Sequence, residues 1–254
     1  MPGYVCIHGH FYQPPRENPW LEYVEVQDSA YPYHDWNERV TAECYRPNTA
    51  SQVLDAGQVV AAVNNYAHIS FNVGPTLLSW LERHDRFTYQ RILTADAESA
   101  QRYGGHGSAM AQAYNHLIMP LANRRDKATQ VVWGIADFER RYGRRPEGMW
   151  LPETAVDLES LDLMAEHGIR FTVLAPHQAA CFRPLAGGDW QPTHGDIDTT
   201  RAYLQRLPPS PPKQTTRSWC TLPPTARPTA TTAASPTWRW PTPYARWTTG
   251  TTCG

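Results

Sequence analysis

The chain has 254 residues, 23 Lys or Arg against 24 Asp or Glu, and a formal net charge of −1. That length allows one α/β barrel or one to two smaller domains, and near-zero charge gives no electrostatic case for nucleic acid or an anionic membrane as partner. No apolar run reaches the roughly 18–20 residues of a membrane span, and the start, Met1-Pro2-Gly3-Tyr4-Val5-Cys6-Ile7, has no charged-then-apolar leader,. Five cysteines, at 6, 44, 181, 220 and 253, are odd in number and never in C-x-x-C spacing, so free thiols, a reducing cytoplasm and no cysteine-built zinc site are expected. Ten Trp and thirteen Tyr suit a groove for sugars, whose apolar faces stack on rings, and equally suit a core.

In chain order, Tyr4 to His10 reads as a first strand ending in His8-Gly9-His10, followed by a Pro-rich loop through Pro19. Residues 49–63 carry Val53, Val59, Val60 and Val63 among alanines in a pattern that predicts a helix,. Ile69-Ser70-Phe71-Asn72-Val73 predicts a second strand, and Gly74-Pro75-Thr76 leads into a helix over 76–84. A helix over 86–102, a Gly-rich loop at 104–107 and a helix over 126–142 follow. Then come a strand at 148–151, a helix over 157–167 closed by Gly168 as a left-handed C-cap, and a strand Phe171-Thr172-Val173-Leu174,. Strands alternating with helices predict a parallel sheet or barrel.

Composition breaks near residue 200. All 24 acids and all ten histidines lie at or before Asp198, whereas residues 199–254 hold 15 Thr, 10 Pro and seven Lys or Arg. No period of 2 or 3.6 survives there. A disordered Thr/Pro-rich tail is one reading, and a mucin-like stalk, which the missing leader argues against, is another. A change of reading frame fits better, because GC-rich DNA read out of frame yields Ala, Arg, Pro, Thr and Trp and avoids acids. The expected division is a catalytic barrel over 1–203 and a tail over 204–254.

Three segments carry candidate chemistry. His8 and His10, two apart on a strand, point to one face, which suits a metal or a pair of groups gripping a sugar hydroxyl; one core and one loop histidine is the bland alternative. Phe11-Tyr12-Gln13-Pro14-Pro15-Arg16 reads as a binding loop,. Tyr114-Asn115-His116-Leu117-Ile118-Met119-Pro120-Leu121 adds a histidine beside a turn. In Gly148-Met149-Trp150-Leu151-Pro152-Glu153-Thr154-Ala155-Val156-Asp157, Glu153 sits at the carboxyl end of a strand, where α/β folds keep their chemistry,. Thr154 and Asp157 have capping-box spacing, so Glu153 could equally be a first-turn acid favoured by the helix dipole. Trp150 reads as core more readily than as a sugar platform, and Asp157 as a cap.

Together these segments resemble glycoside hydrolase family 57, the amylase and 4-α-glucanotransferase-like enzymes, over roughly residues 4–203. His8-Gly9-His10-Phe11-Tyr12-Gln13-Pro14 resembles the family's first conserved region, with one or two extra residues before its glutamine. His116 with Pro120-Leu121 resembles the second, and Gly148 to Glu153 the third. The resemblance implies an α/β fold, an incomplete (β/α)7 barrel of glycoside hydrolase/deacetylase type. It implies a retaining glycosidase or transglycosylase on α-glucan or oligosaccharide substrates, with Glu153 as nucleophile, His8, His10, Gln13, His116 and Trp150 binding substrate, and no metal or other cofactor.

Retention needs a second carboxylate about 5–5.5 Å from the first, which the family takes from a D-G-E motif on a later strand. No such motif follows residue 153 in frame. Residues 219–242, back-translated with GC-rich codons and read one base earlier, can give LVHLATDGETYGHHRRFADMALAY, whose aspartate shares codon bases with Pro224 and Thr225. The alternatives are a glucan-binding fragment or pseudoenzyme without turnover, and a metal-dependent polysaccharide deacetylase, which lacks here the early Asp-Asp pair of such enzymes.

Overall fold

A computed structural model of the chain describes residues 6–175, 178, 181–182, 189, 191–192 and 231–233. The boundary near 203, most of the 204–254 tail and the aspartate assigned to the shifted frame lie outside the described residues.

The fold is α/β, built on an arc of parallel strands taken in sequence order. Strand β1 (Cys6–Phe11) pairs with β4 (Ser70–Val73) in parallel, His8 opposite Ser70 and His10 opposite Asn72. Phe71 bridges in parallel to Ala109, at the entrance to β5 (Ala111–Gln112), and β5 pairs in parallel with β6 (Met149–Trp150). A parallel bridge from Gly148 to Phe171 adds the next chain segment. Five successive segments in spatial order, each linked to the next by a crossover, make an incomplete barrel.

Helices cover the outside. α3 (Pro75–His84) starts with Pro at a first-turn position, where its missing N–H costs nothing,. Its Leu77, Leu78 and Leu81 are at most 1% exposed, each worth about 1.5–3 kcal/mol of burial. α4 (Arg86–Arg102) is capped by Asp85, which accepts from the Thr88 N–H. α5 (Arg124–Tyr142) is capped by Asn123 and ends at left-handed Gly143,. α6 (Leu158–Glu166) follows β6, and Gly168 behind it has φ 82°, as the sequence predicts.

An earlier helical stretch joins α1 (Trp36–Val40) to α2 (Arg46–Asn48) through a π turn at Thr41–Tyr45, where the Arg46 N–H reaches back to Thr41 O. Pro47 has no N–H to keep the ordinary ladder there. Two short strands, β7 (Cys181–Phe182) and β8 (Gln191–Pro192), pair antiparallel. β9 (Thr231–Ala233) lies antiparallel on the other edge of β1.

Residues 49–63 correct the sequence reading. They form a hairpin, β2 (Ser51–Asp55) and β3 (Gln58–Val63), not a helix. Ala56 and Gly57 both have positive φ, 48° and 84°, the conformation of a two-residue type I′ turn. The β-branched valines then serve a strand. The capping box is corrected too: Asp157 is itself the N-cap of α6, accepting from the Ser160 N–H, and Thr154 lies in the turn before it.

Candidate active site

Alternation along the arc puts one set of side chains inside. His8 and His10 face the same way as Ser70 and Asn72 across the β1–β4 register, and Gln112 stands opposite Trp150 across β5–β6. Phe11 turns outward onto Tyr45 and Tyr66.

Asn72, fully buried, holds the interior together. His8 Nε2 lies 3.1 Å from Asn72 Oδ1, and His10 Nδ1 is 3.2 Å from the same oxygen and 2.9 Å from Asn72 Nδ2. The Asn72 amide also donates to Gln112 Oε1 at 2.7 Å, while Ser70 Oγ meets His8 Nδ1 at 3.0 Å. The Trp150 ring stacks on both histidines, centroids 5.1 and 4.8 Å away. His116, with φ 56°, brings its Nε2 to 3.3 Å from His10 Nε2 and stacks on Tyr12 at 3.7 Å. The two-residue spacing thus delivers both histidines to one face, and the loop after β5 delivers the third.

Burial pushes His8 down to about 4, with the Asn72 hydrogen bond opposing. Burial likewise lowers His10 to about 4, against the Asn72 bond and with His116 and His8 adding to the fall. His116 is lowered by burial, and the Glu153 charge pulls it partly back. All three rings are therefore neutral at pH 7.

Glu153 follows β6 in a single 3₁₀ turn, Pro152–Thr154. Glu153 and Thr154 both sit in the left-handed region, φ 55° and 53°, where a non-glycine residue is uncommon and strained. The corner is pinned by Thr154 N–H to Leu151 O at 2.9 Å and Ala155 N–H to Pro152 O at 3.0 Å. Glu153 is exposed. Its position four residues ahead of the α6 N-cap removes the first-turn reading. Downstream, buried Lys127 of α5 pairs with Asp157 and Glu159 and fixes the start of α6. Among the described residues, no hydrogen bond or ion pair occupies the Glu153 carboxylate, and its charge is felt by His116.

Gln13 sits differently. Its amide donates to Tyr45 Oη at 2.9 Å and accepts from Arg16 at 2.9 Å, so it braces the loop after β1 and both ends of the amide are engaged. Sequence reasoning missed Asn72 and Gln112. Asn72 stood in a strand already recognised, at the inward position set by alternation with Phe71. Gln112 had no such signal, because β5 is two residues long in an alanine-rich stretch.

A sequence model of Glycosyl hydrolase family 57 matches residues 7–181. The chain belongs to that family. Comparison with curated proteins gives no match. Among solved structures, the 4-α-glucanotransferase from Thermococcus litoralis is similar at 16% identity and a TM-score of 0.48, covering 80% of this chain and 31% of that one. A GH57-type branching enzyme from Pyrococcus horikoshii gives 17% and 0.46, covering 74% and 45%. A GH57 branching enzyme from Thermococcus kodakaraensis gives 18% and 0.44, covering 68% and 40%. The family 57 chain thus spans less than half the length of these solved relatives. Among its described residues no helix is long and apolar enough to cross a membrane.

Proposed function

We propose that this family 57 chain carries the nucleophile half of a retaining glycosidase or transglycosylase acting on α-glucans. Glu153 carries the reading: a carboxylate free of partners among the described residues, on a strained corner at a strand end, within electrostatic reach of His116. Its oxygen attacks the anomeric carbon, the glycosidic C–O bond breaks, and a glycosyl ester forms. Water or a sugar hydroxyl then displaces Glu153 and restores the configuration. His8, His10 and His116 line the sugar subsite next to it, over the Trp150 ring. Gln13 shapes the loop wall through Arg16 and Tyr45.

The leaving oxygen needs a proton, and no second carboxylate joins this group among the described residues. We assign that acid to the aspartate of the shifted frame, near Pro224 and Thr225. On that assignment the chain as written binds glucan and lacks its acid/base, which also favours a second reading as a binding fragment without turnover.

A glycosyl fluoride separates the two halves of the chemistry, since fluoride departs without protonation. An α-glucosyl fluoride with a second, ring fluorine to slow breakdown should label the chain by one fluoroglucosyl mass, on the peptide holding Glu153. Glu153→Gln should stay unlabelled. Labelling elsewhere, or none in a folded chain that binds maltooligosaccharide, removes Glu153 as nucleophile.

A further inference from the structure

Two buried N–H donors in the site lack acceptors. Gln112 Nε2 and Trp150 Nε1 are closed to solvent and neither has a hydrogen-bond partner, although their side chains, in residues 3% and 2% exposed, belong to a class that is almost always satisfied. They stand opposite each other on β5 and β6. A buried donor without an acceptor is destabilising, and here two share one side of the same interior.

The Gln112 amide cannot turn away from this state without loss. Its Oε1 accepts from Asn72 Nδ2 at 2.7 Å, which directs the NH2 end away from Asn72. A Cβ built on Gly74 would lie 3.3 Å from that nitrogen and 2.8 Å from the Tyr12 ring. The NH2 group therefore lies packed near Gly74 and Tyr12, and the Tyr12 ring stacks on His116, which in turn lies on His10. Asn72 is already committed to His8, His10 and Gln112.

A ligand that satisfies this wall must bring oxygen acceptors and little charge. The histidines are neutral at pH 7, so they supply no cation for an anion, and Glu153 repels one. A sugar brings hydroxyl and ring oxygens with an apolar face for Trp150. We propose that Gln112 is a specificity-determining residue of the sugar subsite, donating through Nε2 to an oxygen of the glucose unit held against His10, His116 and Trp150, with the Trp150 indole N–H as second donor. This rests on the glucan reading given above. Such a site rejects analogues lacking the matched hydroxyl, because the donor is then left unpaired.

The test is maltotriose binding by the full 254-residue chain, measured by calorimetry for the wild type, Gln112→Glu and Gln112→Leu. Gln112→Glu at pH 8 keeps the acceptor for Asn72 and removes the donor. Both variants should bind roughly five- to tenfold more weakly, the size of one hydrogen bond. Within a panel of monodeoxy maltotrioses, one position should weaken binding to the wild type and leave Gln112→Leu unaffected. Because either variant could misfold, the side-chain NH2 signals of Gln112 in the ¹⁵N-labelled wild type are followed as well, and should shift as maltotriose saturates.

Undiminished variant affinity with unmoved NH2 signals overturns the inference alone and leaves the donor to a buried water. A folded wild type that binds no maltotriose overturns the glucan reading and the inference together.

Discussion

His8 and His10 titrate near pH 4 in the folded chain and near 6.5 once unfolded,, so between those values the unfolded chain binds more protons. Stability from these rings is complete above pH 6.5 and is lost as the pH falls towards 4, by about 1.4 kcal/mol per pH unit for each ring. Urea unfolding at pH 7.5, 6 and 5 should show that slope, and His10→Gln should remove about half of it; a flat profile over the range contradicts neutral burial. At this scale the sequence announced His8, His10, His116 and Glu153 through spacing and neighbouring turns. Trp150 is the core ring that the sequence suggests, and it also stacks on His8 and His10. It could not announce Asn72 or Gln112, because a neutral amide is chemically informative only once its partners are known.

Among the elements, α5 packs closely on β5. A Cβ on Gly134 of α5 would sit 2.1 Å from the Gln112 carbonyl oxygen, so the helix packs directly on the strand that carries Gln112. Ordinary propensity makes Gly→Ala in a helix favourable by about 1 kcal/mol. Here Gly134→Ala should instead destabilise by about 1–3 kcal/mol and weaken maltotriose binding, read by thermal unfolding and calorimetry. A stabilised variant would contradict the close approach. The sequence showed α3, α4, α5 and α6 and strands β1, β4 and β6 through clear periods and caps. It hid β5, too short for alternation, and disguised β2–β3, where Ala56-Gly57 makes the turn without the usual Asn-Gly or Asp-Gly signal. The strand expected over 171–174 forms, among the described residues, a single bridge at Phe171.

For the whole molecule, the decisive quantity is the distance between binding and turnover. A chain with Glu153 and no acid/base should hydrolyse maltooligosaccharides about 10²–10⁴-fold more slowly than one with the frame restored, while the glycosyl fluoride narrows that gap. Kinetics on both substrates, with the coding DNA resequenced from codon 195 onward, check this; robust hydrolysis by the chain as written removes the need for the shifted aspartate. The barrel class was legible because strand–helix alternation runs through residue 171, while the composition break after Asp198 lies outside the described residues.

The corner at Glu153 and Thr154 has one more consequence. Two adjacent side chains in left-handed backbone store about 1–3 kcal/mol each, a burden with no benefit to folding. Glu153→Gly should relieve its share and raise the melting temperature by about 2–4 °C per kcal/mol recovered, while abolishing fluoride labelling. On the proposed nucleophile role, the carboxylate that chemistry would need and the stability of the corner pull against each other at this one position.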